Sequence, residues 1–348
     1  MDETTSRILD TLRRETGRPL SIRELTSRIR DSHGTAYYTN IYQKMQSLSQ
    51  DGTITLTKAG KSSLASLNFT NYLLIDQLAQ LDLKRKHDLL AKSQELQILF
   101  KDIEQRLEGI RSIESISAAN IERNLKLNRA ELLILLHTGK SHNHREIIEI
   151  QRIIRDLGAL HNIKLDPLIL TTTEFLDFIT SEEVNPLREM LPNMITFHSP
   201  QNYWTHMAHW MSSGFRIALS PSETKPAKIS EKDLTFNLSR FGYKEIGPDI
   251  REGEKICLEY IITSILITGD ARRSDAIPTL LTKNNASYSL LIFLSQKYDL
   301  SPKLLGILRA LNNIAPNNET AQAIETLVSL HTIKKRADQR NSFSGSEI

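Results

Sequence analysis

The sequence predicts a multi-domain protein of the α+β class. Its 348 residues exceed the size of most single domains and give room for two or three separate cores. Three patterns follow one another: short helices that end in a strand, buried strands that alternate with helices, and helical periodicity alone. They predict an N-terminal helix-and-strand module over 1–67, a long connecting helix over 68–112, a small α/β domain over 113–220 and an all-α bundle over 228–335. Residues 336–348 are expected to form a disordered tail.

The composition is that of an ordinary soluble protein. Hydrophobic residues make up 39% of the chain and charged residues 24%, which excludes disorder over most of its length. With 44 basic and 41 acidic residues the net charge is only +3, so any nucleic-acid site has to be a local patch. Cys257 is the single cysteine and excludes an internal disulfide. The acidic start, Met-Asp-Glu, lacks an apolar core, so we expect no signal peptide. No run reaches the roughly 18 apolar residues of a membrane span, and we expect a cytoplasmic protein.

Three short helices are predicted in the first fifty residues. Ile8, Leu9 and Leu12 share one helical face, and Gly17-Arg18-Pro19 ends that helix. A second helix begins at Ser21, because Ser21 and Glu24 have the spacing of a capping box. A third runs from about Ala36 to Gln50, and its inward stripe is expected to comprise Tyr38, Ile41, Met45 and Leu48.

The opposite face of the third helix is the candidate DNA-binding surface. It carries hydroxyl, amide and ammonium groups and no carboxylate, and its members are Tyr37, Thr39, Asn40, Gln43 and Lys44. Such groups donate to phosphates and base edges, whereas carboxylates would be repelled by the backbone of DNA. The pattern therefore favours a helix that contacts double-stranded DNA.

A turn and a strand follow the three helices. Asp51-Gly52 is a turn signal, and Thr53 to Leu56 alternate as a short β-branched strand before Thr57-Lys58-Ala59-Gly60. This order of elements over residues 4–67 resembles the winged-helix domain of prokaryotic transcription regulators. The resemblance implies that the third helix enters the major groove and that Lys58 and Lys61 lie near phosphates. A winged helix used for protein contacts, or as a structural unit only, is the alternative.

The stretch from 68 to 112 lacks proline and has its first glycine at Gly109. Its apolar residues recur at helical spacing, most regularly at Leu96, Leu99, Ile103, Leu107 and Ile110. This predicts one long helix, or two with a break at 84–87. The stripe either packs against the chain's own domains or pairs two chains and sets the spacing of two winged helices on a palindromic site. We expect a homodimer.

Strands and helices alternate in the middle of the chain. Glu131 to Leu136 and Ile163 to Leu170 are apolar runs typical of buried strands, and an amphipathic helix with Ile147, Ile150 and Ile154 lies between them. A further helix begins at Glu174, and Met194 to His198 form a last short strand. The pattern predicts an α/β domain.

Residues 113–200 resemble the small nucleotidyltransferase fold of minimal nucleotidyltransferases and their antitoxin-type relatives. The resemblance is carried by Asn128-Arg129-Ala130-Glu131, by Lys164-Leu165-Asp166, and by the segments 170–175 and 185–191. In that family a Gly-Ser turn is followed by two acids one residue apart, with a third acid on a neighbouring strand. The acids hold a divalent metal against nucleotide phosphates. The resemblance implies that Glu131 and Asp166 are the second and third acids.

Two departures from this pattern predict a degenerate site. Arg129 occupies the position of the first acid, and Ile116 to Asn120 lack the glycine of the Gly-Ser turn. A guanidinium removes a metal ligand and repels Mg²⁺. We therefore expect no metal or cofactor, and a domain that binds a nucleotide ligand through Arg129, holds a partner or dimerises. The alternative is an active Mg²⁺-dependent nucleotidyltransferase, antitoxin-like in role, with Glu131 and Asp166 as its catalytic residues.

Helical periodicity alone fills 228–335 and predicts a structural or dimerising bundle. The sequence as a whole predicts a DNA-binding transcriptional regulator. Its partners would be double-stranded DNA and a nucleotide ligand, and the inner domains would sense the ligand, hold a partner or form the dimer.

Overall fold

The computed structural model describes residues 1–121, 128–137, 144–217, 219, 223–245 and 250–343, with side chains as far as Leu330. It is a mixed α+β protein with two small sheets. Among the described residues no helix is both long and apolar enough to cross a membrane.

Three helices and a three-stranded antiparallel sheet form the N-terminal module, residues 1–67. The helices are α1 (Glu3–Arg14), α2 (Ile22–His33) and α3 (Tyr38–Gln50). The strands are β1 (Leu20–Ser21), β2 (Ile54–Ala59) and β3 (Ser62–Leu67), in the order β1-β3-β2.

Only one half of the predicted capping box at the start of α2 forms. Ser21 accepts from the backbone N–H of Glu24, but the Glu24 carboxylate pairs with Arg18 and Arg28 instead.

The predicted core of this module is confirmed with one exception. Ile41, Met45 and Leu48 of α3 are buried against the apolar faces of α1 and α2. Tyr38 was predicted to be part of that stripe, but it is 49% exposed. It is the first residue of α3, so its side chain projects beyond the core and stacks on Tyr42 one turn further on.

The connecting segment is two helices, α4 (Tyr72–Leu90) and α5 (Gln94–Leu107). The break lies at 91–93 rather than at 84–87, because Ser93 caps α5 by accepting from the backbone N–H of Leu96. The apolar stripe of α5 is buried in a core shared with the larger sheet. The chain thus packs this stripe against its own domains, and the homodimer prediction requires another surface.

The larger sheet contains β4 (Ile113–Ala119), β5 (Arg129–Leu136), β6 (Lys164–Thr171) and β7 (Met194–His198) in the order β6-β5-β4-β7. β5 and β6 are parallel, and β4 is antiparallel to both of its neighbours. The predicted strands are confirmed, but β4 was not predicted. It occupies the stretch assigned to the Gly-Ser turn, and Asn120, the residue after β4, has a left-handed backbone conformation with a φ of 48°.

Helices cover both faces of this sheet. On one face α5 and α6 (His144–Leu160) pack against alternate residues such as Leu132 and Ile134. The other face, with Leu133 and Leu168, packs against α7 (Thr172–Thr180), α8 (Pro186–Met190) and α9 (Pro200–Ser212). This alternation makes a three-layered α/β unit.

The last third is helical, as predicted. Its helices are α10 (Glu231–Arg240), α11 (Leu258–Thr268), α12 (Ala271–Ser274), α13 (Ile277–Lys283), α14 (Tyr288–Lys297), α15 (Ser301–Ile314) and α16 (Asn318–Phe343). α14 packs on β6 and α16 on α6, so these helices close that edge of the sheet. The disordered tail was predicted to start at 336, but the backbone stays helical to Phe343 because no proline or glycine interrupts it. Residues 344–348 of the predicted tail lie outside the described residues.

Candidate functional site

The outer face of α3 is open to solvent. Tyr37 is 71% exposed, and Thr39, Asn40 and Gln43 are also exposed. Lys44 differs from the other predicted members of this face, because its ammonium lies 2.7 Å from the carboxylate of Asp2. The hydrogen bond from Lys44 holds the pKa of Asp2 well below its usual range. Lys44 therefore connects α3 to the start of α1.

Two exposed tyrosines extend this face and were missed in the sequence. Tyr38 and Tyr42 are 49% and 42% exposed, and their ring centroids are 6.1 Å apart in a stacked pair. The missed signal was their spacing of four residues, which puts two side chains on one face of a helix. Together with Tyr37 they form an aromatic surface beside the amides.

The β2–β3 hairpin ends in an exposed cationic tip. Lys58 pairs with Ser63 and Ala59 with Ser62 across the hairpin, and Gly60 makes the turn with a φ of 60°. Lys58 and Lys61 are exposed, and neither has an ion-pair partner among the described residues. α3 packs on β2, so the hairpin is anchored directly to the helix that carries the polar face.

A second site is buried where β5 and β6 meet α14. Glu131 and Asp166 are register partners on the parallel strands, so their side chains share one face of the sheet. They are 3% and 1% exposed. The guanidinium of Arg129 donates to Asp166 and to the backbone carbonyl of Lys297. The two acids therefore converge, and Arg129 binds one of them.

Lys297 is the cation that the sequence did not reveal. Its ammonium lies 2.9 Å from Glu131 and 3.0 Å from Glu223. No local pattern could show this contact, since Lys297 is the last residue of α14 and reaches the sheet only through the tertiary fold. The buried ion cluster comprises the side chains of Arg129, Glu131, Asp166 and Lys297.

The charges in this cluster are compensated within the chain. Burial raises the pKa of Asp166 above its ordinary value, although Arg129 opposes this shift. Burial alone would lower the pKa of Lys297, but the charges of Glu131, Tyr298 and Glu223 raise it. A divalent cation bound to the two carboxylates would lie beside a guanidinium and an ammonium. The arrangement thus opposes metal binding between Glu131 and Asp166.

The acids of the buried ion cluster do not belong to a larger set of metal ligands. Among the described residues no three His, Cys, Asp or Glu side chains form a group that could hold a metal ion. One oxygen of each acid, Glu131 Oε2 and Asp166 Oδ1, is buried without a hydrogen-bond partner. Such groups are uncommon in folded proteins.

Comparisons with protein-family models, with curated proteins and with solved structures found no match.

Proposed function

We propose that this protein is a DNA-binding regulator whose N-terminal module is a winged helix. The order of helices and strands and the β1-β3-β2 sheet agree with that fold. One observation carries the proposal. The exposed residues of α3 and the two lysines of the hairpin tip are all donors or aromatic groups, and no carboxylate belongs to either set.

In this proposal α3 enters the major groove. Asn40 and Gln43 lie three residues apart and therefore on one helical face, and their amides can each form paired hydrogen bonds with adenine. Tyr37 and Thr39 are suited to phosphates through their hydroxyls. Lys58 and Lys61 reach the flanking backbone from the hairpin tip.

We infer that the α/β unit is a nucleotidyltransferase-like domain without catalytic activity. Support comes from the Arg129 and Lys297 contacts, because both acids of the expected metal site already pair with a cation. Nucleotidyl transfer would require Glu131 and Asp166 to exchange these partners for Mg²⁺. The domain instead serves to sense a ligand or to hold a partner.

The module and this domain are joined by one buried and one partly buried arginine. Arg13 of α1 and Arg85 of α4 both donate to the backbone carbonyl of Met194 in β7, at 3.1 and 2.8 Å. Asp10 binds Arg13 and Arg14 from within α1. These contacts link the α/β unit directly to the DNA-binding module. Through them, a ligand or partner bound to the α/β unit can influence the module.

Selection of duplexes from a random pool, followed by fluorescence anisotropy with the full chain, tests the proposal. We expect a common sequence to be enriched and to bind saturably, with an affinity that falls as salt increases because counterions are released from DNA. An unenriched pool together with no saturable binding at low salt would contradict the proposal. Binding of every duplex with equal affinity would contradict sequence readout by α3.

A further inference from the structure

An open cleft separates the N-terminal module from the α/β unit. Its volume is about 600 Å³, which is in the range of small-molecule sites. One wall is formed by α1 and the end of α2, and the other by α4, the end of β4 and the start of β7. None of the four residues of the buried ion cluster lines this cleft, so the two sites are distinct.

Cations outnumber acids on the walls of the cleft. Five cationic side chains and three carboxylates line it, which leaves a surplus of two positive charges. Lys84 on α4 is exposed and has no ion-pair partner among the described residues. Arg14 on α1 is 40% exposed, and its guanidinium lies 3.3 Å from the side-chain oxygen of Asn193. Cations thus approach the same space from two separate elements.

Two of the three acids of the cleft pair with its cations, and the third, Asp88 on α4, is 59% exposed. Asp10 pairs with Arg13 and Arg14, and Arg85 lies 3.7 Å from it. Glu3 pairs with Arg7. Burial, followed by the charge of Arg7, lowers the pKa of His33 on the same wall. Burial and the neighbouring charge of Arg13 lower the pKa of Arg85 to about 10. Burial is the larger cause of both shifts. The positive potential of the cleft follows from its surplus of two cationic side chains.

We propose that the cleft binds a small, multiply charged phosphate ester, held by Lys84 from α4 and by Arg7 and Arg14 from α1. Guanidinium groups present paired donors that match phosphate oxygens, and Lys84 adds a point charge. The site is concave, whereas the surfaces of α3 and the hairpin tip project outward. A compact anion fits the cleft better than the backbone of a DNA duplex does. This inference does not depend on DNA binding by α3.

A bound anion would bridge two parts of the chain. Arg7 and Arg14 belong to the N-terminal module, and Lys84 belongs to the helix that packs on β7. Neutralising these charges together would hold the module in one placement on the α/β unit. The cleft is thus positioned to bind a phosphorylated metabolite as an effector.

Calorimetric titration of the full chain with sodium pyrophosphate, and separately with ATP in the absence of metal, tests the proposal at constant ionic strength. We expect saturable binding of at least one of these anions at one site per chain. Lys84→Glu should weaken it on the order of tenfold or more. Lys101→Glu is the matched control, because Lys101 is an exposed lysine of α5 that lies outside the cleft. Arg14→Gln, which removes a charge and keeps a polar side chain, should also weaken binding.

Three results would overturn the proposal. The first is the absence of saturable heat with both anions. The second is equal weakening by Lys84→Glu and Lys101→Glu, which would indicate attraction by net charge alone. The third is a loss of duplex affinity in Lys84→Glu when neither anion binds to the wild type. The cleft would then be a contact for the DNA backbone. Circular dichroism of each variant shows whether the fold is retained.

Discussion

The ammonium of Lys297 lies 2.9 Å from the carboxylate of Glu131, joining the end of α14 to the interior of the larger sheet. Arg129 strengthens the same connection, since it donates to Asp166 and to the backbone carbonyl of Lys297. Glu131 and Asp166 thus help to hold the C-terminal helices against the sheet.

Replacing Lys297 with methionine should destabilise the protein by about 3 kcal/mol, because it leaves a buried carboxylate without its cation. Urea denaturation of wild type and Lys297→Met measures the difference. The double variant Lys297→Met/Glu131→Gln should recover part of the loss, since the uncompensated charge is then removed. A cost for Lys297→Met no larger than the roughly 0.5 kcal/mol of a surface substitution would contradict a structural role for the pair.

Nucleotidyl transfer should be undetectable. We expect no label on the protein or on RNA after incubation with labelled nucleoside triphosphates and Mg²⁺, because Arg129 and Lys297 already neutralise the two acids. Asp166→Ala should leave this background unchanged. Labelling by the wild type that disappears in Asp166→Ala would establish the enzyme and refute the degenerate site.

Protonation of Asp10 at low pH should weaken the packing of the N-terminal module. Burial would raise the pKa of this carboxyl, but the charges of Arg13, Arg85 and Arg14 hold it well below its usual range. The folded pKa is thus lower than the unfolded value of about 4. The stability that Asp10 contributes is therefore complete above about pH 4 and is lost as the pH falls toward the folded pKa.

Thermal unfolding of wild type and Asp10→Asn at about pH 7 and about pH 3 checks this. The variant should be clearly less stable at the higher pH, and the difference should shrink at the lower pH. An equal difference at both values would show that the Asp10 charge does not contribute.

The sequence predicted the elements whose apolar residues have a clear period and missed those that depend on distant contacts. Ile41, Met45 and Leu48 identified the inner face of α3 because all three lie on one helical face. β4 was missed because its serines and alanines resemble a turn, and only β5 and β7 on either side make it a buried strand. The Lys44–Asp2 pair joins distant positions that no local spacing relates.

The hairpin tip should contribute affinity without sequence preference. Lys58→Ala/Lys61→Ala should weaken binding to the selected duplex and to a scrambled duplex by similar factors. The slope of log affinity against log salt should fall in magnitude by about two, one for each lost phosphate contact. Lys101→Ala, a matched change on α5, should leave the slope unaltered. An unchanged slope in the double variant would remove the tip from the interface.

The most direct test of DNA readout is the affinity of Asn40→Ala/Gln43→Ala for the selected duplex and for its scrambled counterpart. Each amide should contribute about 1–3 kcal/mol of discrimination between bases, so we expect the preference for the selected duplex to be largely lost. Gln105→Ala, an exposed amide on α5, should retain it. If Asn40→Ala/Gln43→Ala binds the selected duplex as tightly and as selectively as the wild type, α3 does not read DNA and the proposed function is wrong.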